Sequence, residues 1–211
     1  ERIVYVGAYG FSQNGPYAAK PAYDDIIQGM VALPSLARQA GADRPRYVPS
    51  TVCDRVTGLN TVNAVTTALF YRGRTGKGQA IEVPMFESLA QFVLSEHMGG
   101  RSFEPPIGPP YYPRILSPNR RPYQTQDGYI AVLPYNDRQW ARFFDAIGHP
   151  QLTADPRFAT MASRTNNVDE LYAIIVEAQQ TKTSNEWLAL LEECEIPSVA
   201  VRTPEDVLSD P

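Results

Sequence analysis

Two histidines and two cysteines are all that the 211 residues hold of the side chains most used for metal binding and nucleophilic catalysis. Cys53 and Cys194 lie far apart and form neither a metal-ligand pair nor a disulfide pattern. His97 and His149 have no second ligand at helical or hairpin spacing, whereas zinc sites draw on clustered residues, so both read as structural or surface groups and no metal is expected. Runs of lysine and arginine are also missing. With a formal net charge of −4, the chain lacks the electrostatic footprint of a nucleic-acid-binding protein. It has no long apolar run of the kind that spans a membrane. The opening Glu1-Arg2-Ile3-Val4-Tyr5-Val6 does not have the basic, then apolar, then small layout of a signal peptide. The reading that remains is a globular protein of a reducing cytoplasm. At 43% hydrophobic and 20% charged residues it can fill one large core or two smaller ones.

The two ends read as cuts in a longer fold. The chain opens directly on a β-branched run and closes at Ser209-Asp210-Pro211, just after a new helix begins, whereas domains usually end in polar or tied-down segments. Between them, periodicity predicts a strand over Arg2–Tyr9, broken by Gly7 and Gly10, and a helix from Asp24 carrying Ile26, Ile27, Met30 and Val31. The long segment Thr51–Arg72 is the strongest helix, with Val56, Leu59, Val62, Val65, Ala68 and Leu69 on one predicted inner face. Gly73-Arg74-Thr75-Gly76-Lys77-Gly78 ends it, Gln79–Val83 reads as a strand, and Met85 to about Met98 as a helix turning Leu89, Phe92 and Val93 inward.

Composition then shifts. Seven prolines between Pro105 and Pro122 rule out long helix or central strand and favour a stiff extended connector. Beyond it, Gln126-Asp127-Gly128 marks a hairpin between Tyr123–Thr125 and Tyr129–Leu133. A helix follows from Asn136, with Gln139 as capping-box partner and Trp140, Phe143, Phe144 and Ile147 as its apolar stripe. Two further helices carry Leu171, Ile174 and Ile175, and Trp187, Leu190 and Leu191; Ser198–Val201 returns as a strand before a capped start at Thr203-Pro204-Glu205. The expected organisation is α/β: part of a large domain over 1–98, a proline-rich linker over 99–122, a small α+β domain over 123–196, and a return segment towards the large domain over 197–211.

Few residues survive as carriers of chemistry. Ser12 follows the first strand as a nucleophile elbow would, but the surroundings are not Gly-x-Ser-x-Gly and no base accompanies it. Gly73–Gly78 lacks the order of a phosphate loop and follows a helix, so it reads as a turn. Cys53 stands alone beside a helix start, the setting of a buried, inert thiol. Asp54 sits in the first turn of the longest helix, where the macrodipole favours an ionised carboxylate. Aspartate there serves as a helix cap. Carboxylates also act as covalent nucleophiles towards activated carbonyl or phosphoryl groups. Spacing does not choose between them.

Five segments in one order bear on that choice: Gly10-Phe11-Ser12-Gln13-Asn14-Gly15-Pro16; Pro21-Ala22-Tyr23-Asp24; Asp54 with Gly58; Ala68-Leu69-Phe70-Tyr71-Arg72; and Thr75-Gly76-Lys77-Gly78-Gln79. Together they resemble the CaiB/BaiF family, the family III CoA-transferases and the related 2-methylacyl-CoA racemases, and the resemblance covers most of the chain. It implies a Rossmann-like large domain that binds CoA through a part N-terminal to this chain, interlocked homodimers, and acyl-CoA and a small carboxylic acid as substrates. No permanently bound cofactor is implied, and neither nucleic acid nor membrane is an expected partner. Asp54 matches the family's catalytic aspartate, whose carboxylate forms an acyl anhydride and then a CoA thioester. Tyr23 stands where the racemases carry a histidine base, and Leu133-Pro134 where they tend to carry an acid. Both departures favour CoA transfer over racemisation or isomerisation, since a tyrosine with a pKa near ~10 is a poor base at neutral pH. Tyr23 then reads as lining the acyl or CoA-thiol pocket or as a packed aromatic, and Lys20 as meeting a CoA phosphate or as a solvated surface lysine. The family's glycine-rich lid has no match, because Gly99-Gly100 comes too early and is only a pair. A non-catalytic CoA-binding homologue is the alternative from outside enzymology; a hydrolase using Ser12 or Cys53 lacks its partner residues.

Overall fold

The computed structural model describes residues 1–210 as two compact units, Glu1–Tyr112 and the chain from Pro113 onward. The expected linker is therefore divided between them, and the expected return segment is part of the second unit.

In the first unit, strand β1 (Val4–Tyr9) leads through helices α1 (Asp24–Met30), α2 (Leu33–Gln39) and α3 (Val52–Thr75) to strand β2 (Gln79–Pro84) and helix α4 (Met85–His97). β1 and β2 pair in parallel from Val4 opposite Gln79 to Tyr9 opposite Pro84. Such a pairing needs a long crossover, here supplied by the helices. Two glycines make the return possible. Gly76 ends α3 at φ +72, with its N–H on the Arg72 carbonyl, a left-handed cap that glycine adopts without strain. At Gly78 a β-carbon would lie 1.7 Å from the Ile3 carbonyl oxygen, so only glycine lets the chain come alongside β1. Of the segment 73–78 expected to be a turn, residues 73–75 continue α3 and only Gly76-Lys77-Gly78 make the turn.

Several expectations need correction. α3 runs from Val52 to Thr75, three residues past the predicted end, and its buried residues are Cys53, Thr57 and Ala68. Of the predicted inner face, Leu59, Val62 and Leu69 are exposed. The helix meets β1, β2, α1 and α4, and that contact uses its small residues rather than its large apolar ones. Its threonines satisfy their hydroxyls inside the helix: Thr57 and Thr61 each donate to the carbonyl four residues back at 2.8 Å. Phe92 of α4 is likewise exposed while Leu89 and Val93 are buried. Pro34 sits in the first turn of α2, where the missing N–H costs nothing.

The second unit contains the one-turn helix α5 (Pro113–Leu116), strands β3 (Tyr123–Gln124) and β4 (Tyr129–Val132), and helices α6 (Asp137–Ala146), α7 (Met161–Asn166), α8 (Val168–Gln179) and α9 (Ser184–Glu193). Strand β5 (Ser198–Ala200) and helix α10 (Pro204–Leu208) follow. α5 interrupts the proline-rich stretch that the sequence predicts to be extended throughout; it opens on Pro113, a position proline tolerates. β3, β4 and β5 form one antiparallel sheet. Asn136 and Gln139 close the predicted capping box of α6, and Thr160 with Ser163, Thr183 with Glu186 and Thr203 with Asp206 do the same for α7, α9 and α10. Asp127 accepts from the Ser184 N–H at 2.7 Å and from the Thr125 hydroxyl at 3.1 Å, so the hairpin turn is tied to the start of α9. The core is aromatic: Trp140, Phe143, Phe144, Phe158, Tyr172 and Trp187 pack with Ile130, Ile175 and Leu191. The Trp187 indole N–H donates to the Gln179 carbonyl at 2.9 Å, which satisfies its one buried donor.

Both tryptophans of the chain, Trp140 and Trp187, lie in this core, so indole fluorescence reports on the second unit. Phe144→Ala should lower its stability by about 3–5 kcal/mol in urea unfolding, whereas Met161→Ala, at an exposed position, should change it by less than about 0.5 kcal/mol.

Candidate active site

The N-terminus of α3 is held by a group from outside the helix. Thr51 occupies the N-cap position but makes no side-chain cap bond. The free N–H groups of the first turn are taken instead by Asp24, the first residue of α1: its Oδ1 accepts from Cys53 N at 2.7 Å and from Asp54 N at 3.1 Å. Asp24 is 7% exposed, so its carboxylate depends on these donors and on a third, the Gln28 amide, which reaches Oδ2 at 2.6 Å. Gln28 is fully buried. Its Nε2 also lies 3.3 Å from the Ser50 carbonyl, and its Oε1 accepts from Val48 N at 2.9 Å. The spacing of Asp24 and Gln28, four apart on one helix, places both groups on the face that meets the segment leading into α3.

This arrangement bears on Asp54. A carboxylate in a first helical turn is a common cap, yet here the capping is done by Asp24. Among the described residues the Asp54 side chain accepts no hydrogen bond, and the residue is exposed. It stands in the first turn of the 24-residue helix α3. One turn on is Gly58, where an added β-carbon would meet nothing within 4 Å. Helical side chains lean back over the preceding turn, so a larger residue there would cover the turn of Asp54, and glycine leaves it open.

Tyr23 immediately precedes Asp24 and is 76% exposed, with extended backbone at the N-cap of α1 (φ −134, ψ 166). Tyr23 is thus the sequence neighbour of Asp24, whose carboxylate accepts from the Asp54 N–H. Lys20 is exposed, and its ammonium rests 4.6 Å from the centre of the Tyr17 ring, a cation–π contact. Tyr17 in turn packs with the buried Phe11 and with Phe86. The loop between β1 and α1 is fixed by carboxylates: Gln13 N donates to Glu82 at 2.7 Å and Ser12 N to Glu87 at 3.1 Å. Those amides are therefore occupied by the protein's own acids.

The readings set aside from sequence have plain structural roles. His97 is buried in the first unit, with Tyr112 N 3.4 Å from its Nδ1. His149 is exposed and pairs with Gln151. The Ser12 hydroxyl meets the Asn14 N–H at 3.3 Å and has no histidine beside it. Among the described residues no three His, Cys, Asp or Glu side chains are grouped to hold a metal, and no helix is long and apolar enough to cross a membrane. Asp24 and Gln28 are the parts of the site that sequence reasoning misses. Their i, i+4 spacing is visible; their partners lie 20–30 residues further along.

Comparison with known proteins agrees over the whole chain. The profile of CoA-transferase family III matches residues 1–211. A succinate–glutarate CoA-transferase of Agrobacterium fabrum is 28% identical over 216 residues, covering all of this chain and 52% of the relative. An acetyl-CoA:oxalate CoA-transferase of Acetobacter aceti is 30% identical over 207 residues, covering 93% of this chain and 50% of its own. The crystal structure of a CaiB/BaiF family protein from Brucella suis superposes with a TM-score of 0.74 at 29% identity, over all of this chain and 55% of that one. The chain spans about half the length of the curated relatives it matches.

Cys53 lies between Asp24 and Asp54 and is fully buried. Burial first, and then the negative charges of Asp24 and Asp54, push its thiol up to about 12. At pH 8 the thiolate is therefore scarce and shielded, and iodoacetamide should leave Cys53 unmodified in the native protein while alkylating it in urea. Peptide mass mapping before and after denaturation checks this.

Proposed function

The chain belongs to CoA-transferase family III, and we propose that it carries the nucleophile, Asp54, of an enzyme that moves CoA from an acyl-CoA donor to a carboxylic acid. The observation that carries the reading is the free Asp54 carboxylate: it sits in the first turn of α3 while Asp24 does the capping. A carboxylate tied up as a cap would be a poorer nucleophile, because hydrogen bonds stabilise it in the ground state.

The chemistry follows from the side chain. The Asp54 carboxylate adds to the thioester carbonyl of the donor, and collapse of the tetrahedral adduct breaks the C–S bond. CoA thiolate leaves and an acyl–aspartyl anhydride remains. The thiolate then attacks the aspartyl carbonyl of that anhydride, releasing the donor acid and leaving an aspartyl–CoA thioester. The acceptor carboxylate repeats the sequence in reverse through a second anhydride, so that the acceptor leaves as its CoA thioester and Asp54 is restored. Each step exchanges one activated acyl bond for another, and the energy of the thioester is conserved because water takes no part.

Tyr23 and Lys20 have supporting places in this reading. Tyr23, exposed beside Asp24, lines the acyl or thiol pocket, and Lys20 at the surface meets a CoA phosphate. The relatives are named for succinate, glutarate and oxalate, small carboxylic acids, which fits an acceptor of that class. The remaining CoA contacts fall in the part of the family fold that this chain does not span, and the working assembly is the interlocked homodimer. Two free cysteines suit a cytoplasmic protein. CoA transfer is favoured over racemisation of 2-methylacyl-CoA by Tyr23, which replaces the second base that proton exchange requires.

In the full-length protein, Asp54→Asn should lower CoA transfer by about three orders of magnitude or more, because the amide forms no anhydride. Its folding should hardly change, since the substitution keeps the backbone N–H that Asp24 accepts. Incubating the wild type with acyl-CoA and then hydroxylamine should convert Asp54 alone to the hydroxamate. Near-normal transfer by Asp54→Asn with no trapped adduct would refute the reading; exchange of the substrate's α-proton for deuterium, again without adduct, would replace it with racemisation.

A further inference from the structure

The Asp24–Gln28 pair is more than a support for the fold. We propose that it is a positioning device for the nucleophile, which sets where the Asp54 carboxylate points and keeps it from folding back onto its own helix; this rests on the reading of Asp54 as nucleophile.

A local N-cap such as Thr51 satisfies a helix terminus wherever the helix sits. An aspartate from another helix does so only at one position and angle, so it fixes α3 relative to α1 as well as capping it. Oδ1 of Asp24 holds the N–H of Asp54 itself at 3.1 Å and that of Cys53 at 2.7 Å. The nucleophile's own peptide is therefore pinned. Oδ2 is engaged by Gln28 Nε2 at 2.6 Å, which leaves the carboxylate no free rotation. Gln28 is itself fixed by the Val48 N–H at 2.9 Å and by the Ser50 carbonyl at 3.3 Å. One chain of hydrogen bonds thus runs from the strap 48–50 through α1 to the peptide of Asp54.

Charge supplies the second half. The first-turn N–H groups are the nearest donors an Asp54 side chain would find by folding back. Asp24 occupies two of them and carries a negative charge beside them, so that rotamer is disfavoured by competition and by like-charge repulsion. Asp54 is exposed, and one turn on an added β-carbon at Gly58 would meet nothing within 4 Å. Tyr23, next to Asp24 in sequence, is positioned by the same anchor. An ordinary cap predicts effects on stability alone. A positioning role predicts an effect on turnover, because misplacing a nucleophile by about 1 Å costs on the order of 10²-fold in rate.

Three variants of the full-length protein separate these. Asp24→Asn keeps an oxygen for the Cys53 and Asp54 N–H groups but removes the charge and sets an NH₂ against the Gln28 NH₂. Gln28→Ala leaves the cap and frees the carboxylate to rotate. The double variant D24N/Q28E exchanges donor and acceptor across the pair and returns the charge. Expected are a fall in kcat of about 10²-fold for Asp24→Asn and about tenfold for Gln28→Ala, with KM for acyl-CoA changed by less than about threefold. The rate of hydroxylamine-trappable adduct formation should fall in parallel in single-turnover experiments. D24N/Q28E should recover at least about tenfold over Asp24→Asn. If Asp24→Asn does not fold, Gln28→Ala and its adduct rate decide. Adduct formation at the wild-type rate in the folded single variants, or losses of activity that track only the folded fraction with no recovery in D24N/Q28E, would overturn the positioning role while leaving Asp54 as nucleophile. Absence of any Asp54 adduct in the wild type would overturn both.

Discussion

A carboxylate removed from water must find donors or lose its charge, and Asp24 finds three: two backbone N–H groups from α3 and the amide of Gln28. Leaving such a group buried and unpartnered costs on the order of 3–5 kcal/mol, so its partners are not free to drift. The approach of α1 to α3, the course of the strap from Val48 to Thr51, and the orientation of the first turn of α3 all answer to that demand. Everything proposed for catalysis is attached to the same knot: Asp54 donates its N–H to it and Tyr23 is its neighbour in sequence. What the knot leaves out matters as much, for among the described residues the Asp54 carboxylate is given no hydrogen-bond partner at this helix terminus.

The two units reach stability by different means. The second has a core of aromatic and branched side chains, most of them almost fully buried, and four capping boxes that fix its helix starts. The first buries few large side chains, Phe11, Ile27, Leu36, Leu89 and Val93 among them, and leaves Leu59, Val62, Leu69 and Phe70 of its longest helix exposed. Its sheet has two strands, and a two-stranded pairing is marginal without further cover. Polar links therefore carry a larger share of its geometry: Glu82 and Glu87 on the loop after β1, and Asp24 on α3.

Local signals in the sequence are legible, and non-local ones are not. Asn136 with Gln139 declares a helix start within four residues, and Asp127-Gly128 declares a turn within two, so both are correctly read without knowing the rest of the chain. Gly76 at φ +72 belongs to the same class. By contrast, the inward face of α3 depends on which surfaces are offered to it. Periodicity marks Leu59, Val62 and Leu69 as one face, but the neighbours approach Thr57 and Ala68, where small residues permit close contact. Phe92 fails for the same reason. The Asp24 cap joins residues 29 apart in sequence, and nothing within either segment announces it. Asp54 becomes a candidate through the order of motifs along the chain, since spacing alone does not choose between a cap and a nucleophile; in the structure the capping is done by Asp24.

An acyl–aspartyl anhydride survives only where water is kept away, and that sets a condition on the site. In this chain Asp54 is exposed, and Gly58 leaves its turn bare on the C-terminal side. Openness suits entry of a bulky thioester, but an uncovered anhydride would hydrolyse and waste the donor. Transfer therefore requires that the substrate, or protein beyond these residues, closes over Asp54 once the donor is bound, as desolvation of a reacting centre commonly does. A flexible carboxylate would not survive such closure in a defined place, because an uncapped aspartate near free N–H groups would turn back to them as water left. Asp24 holds those N–H groups before any substrate arrives. On the proposed reading, the cap and the nucleophile are two carboxylates with opposite tasks at one helix end, one buried and saturated with donors, the other exposed and without a hydrogen-bond partner among the described residues.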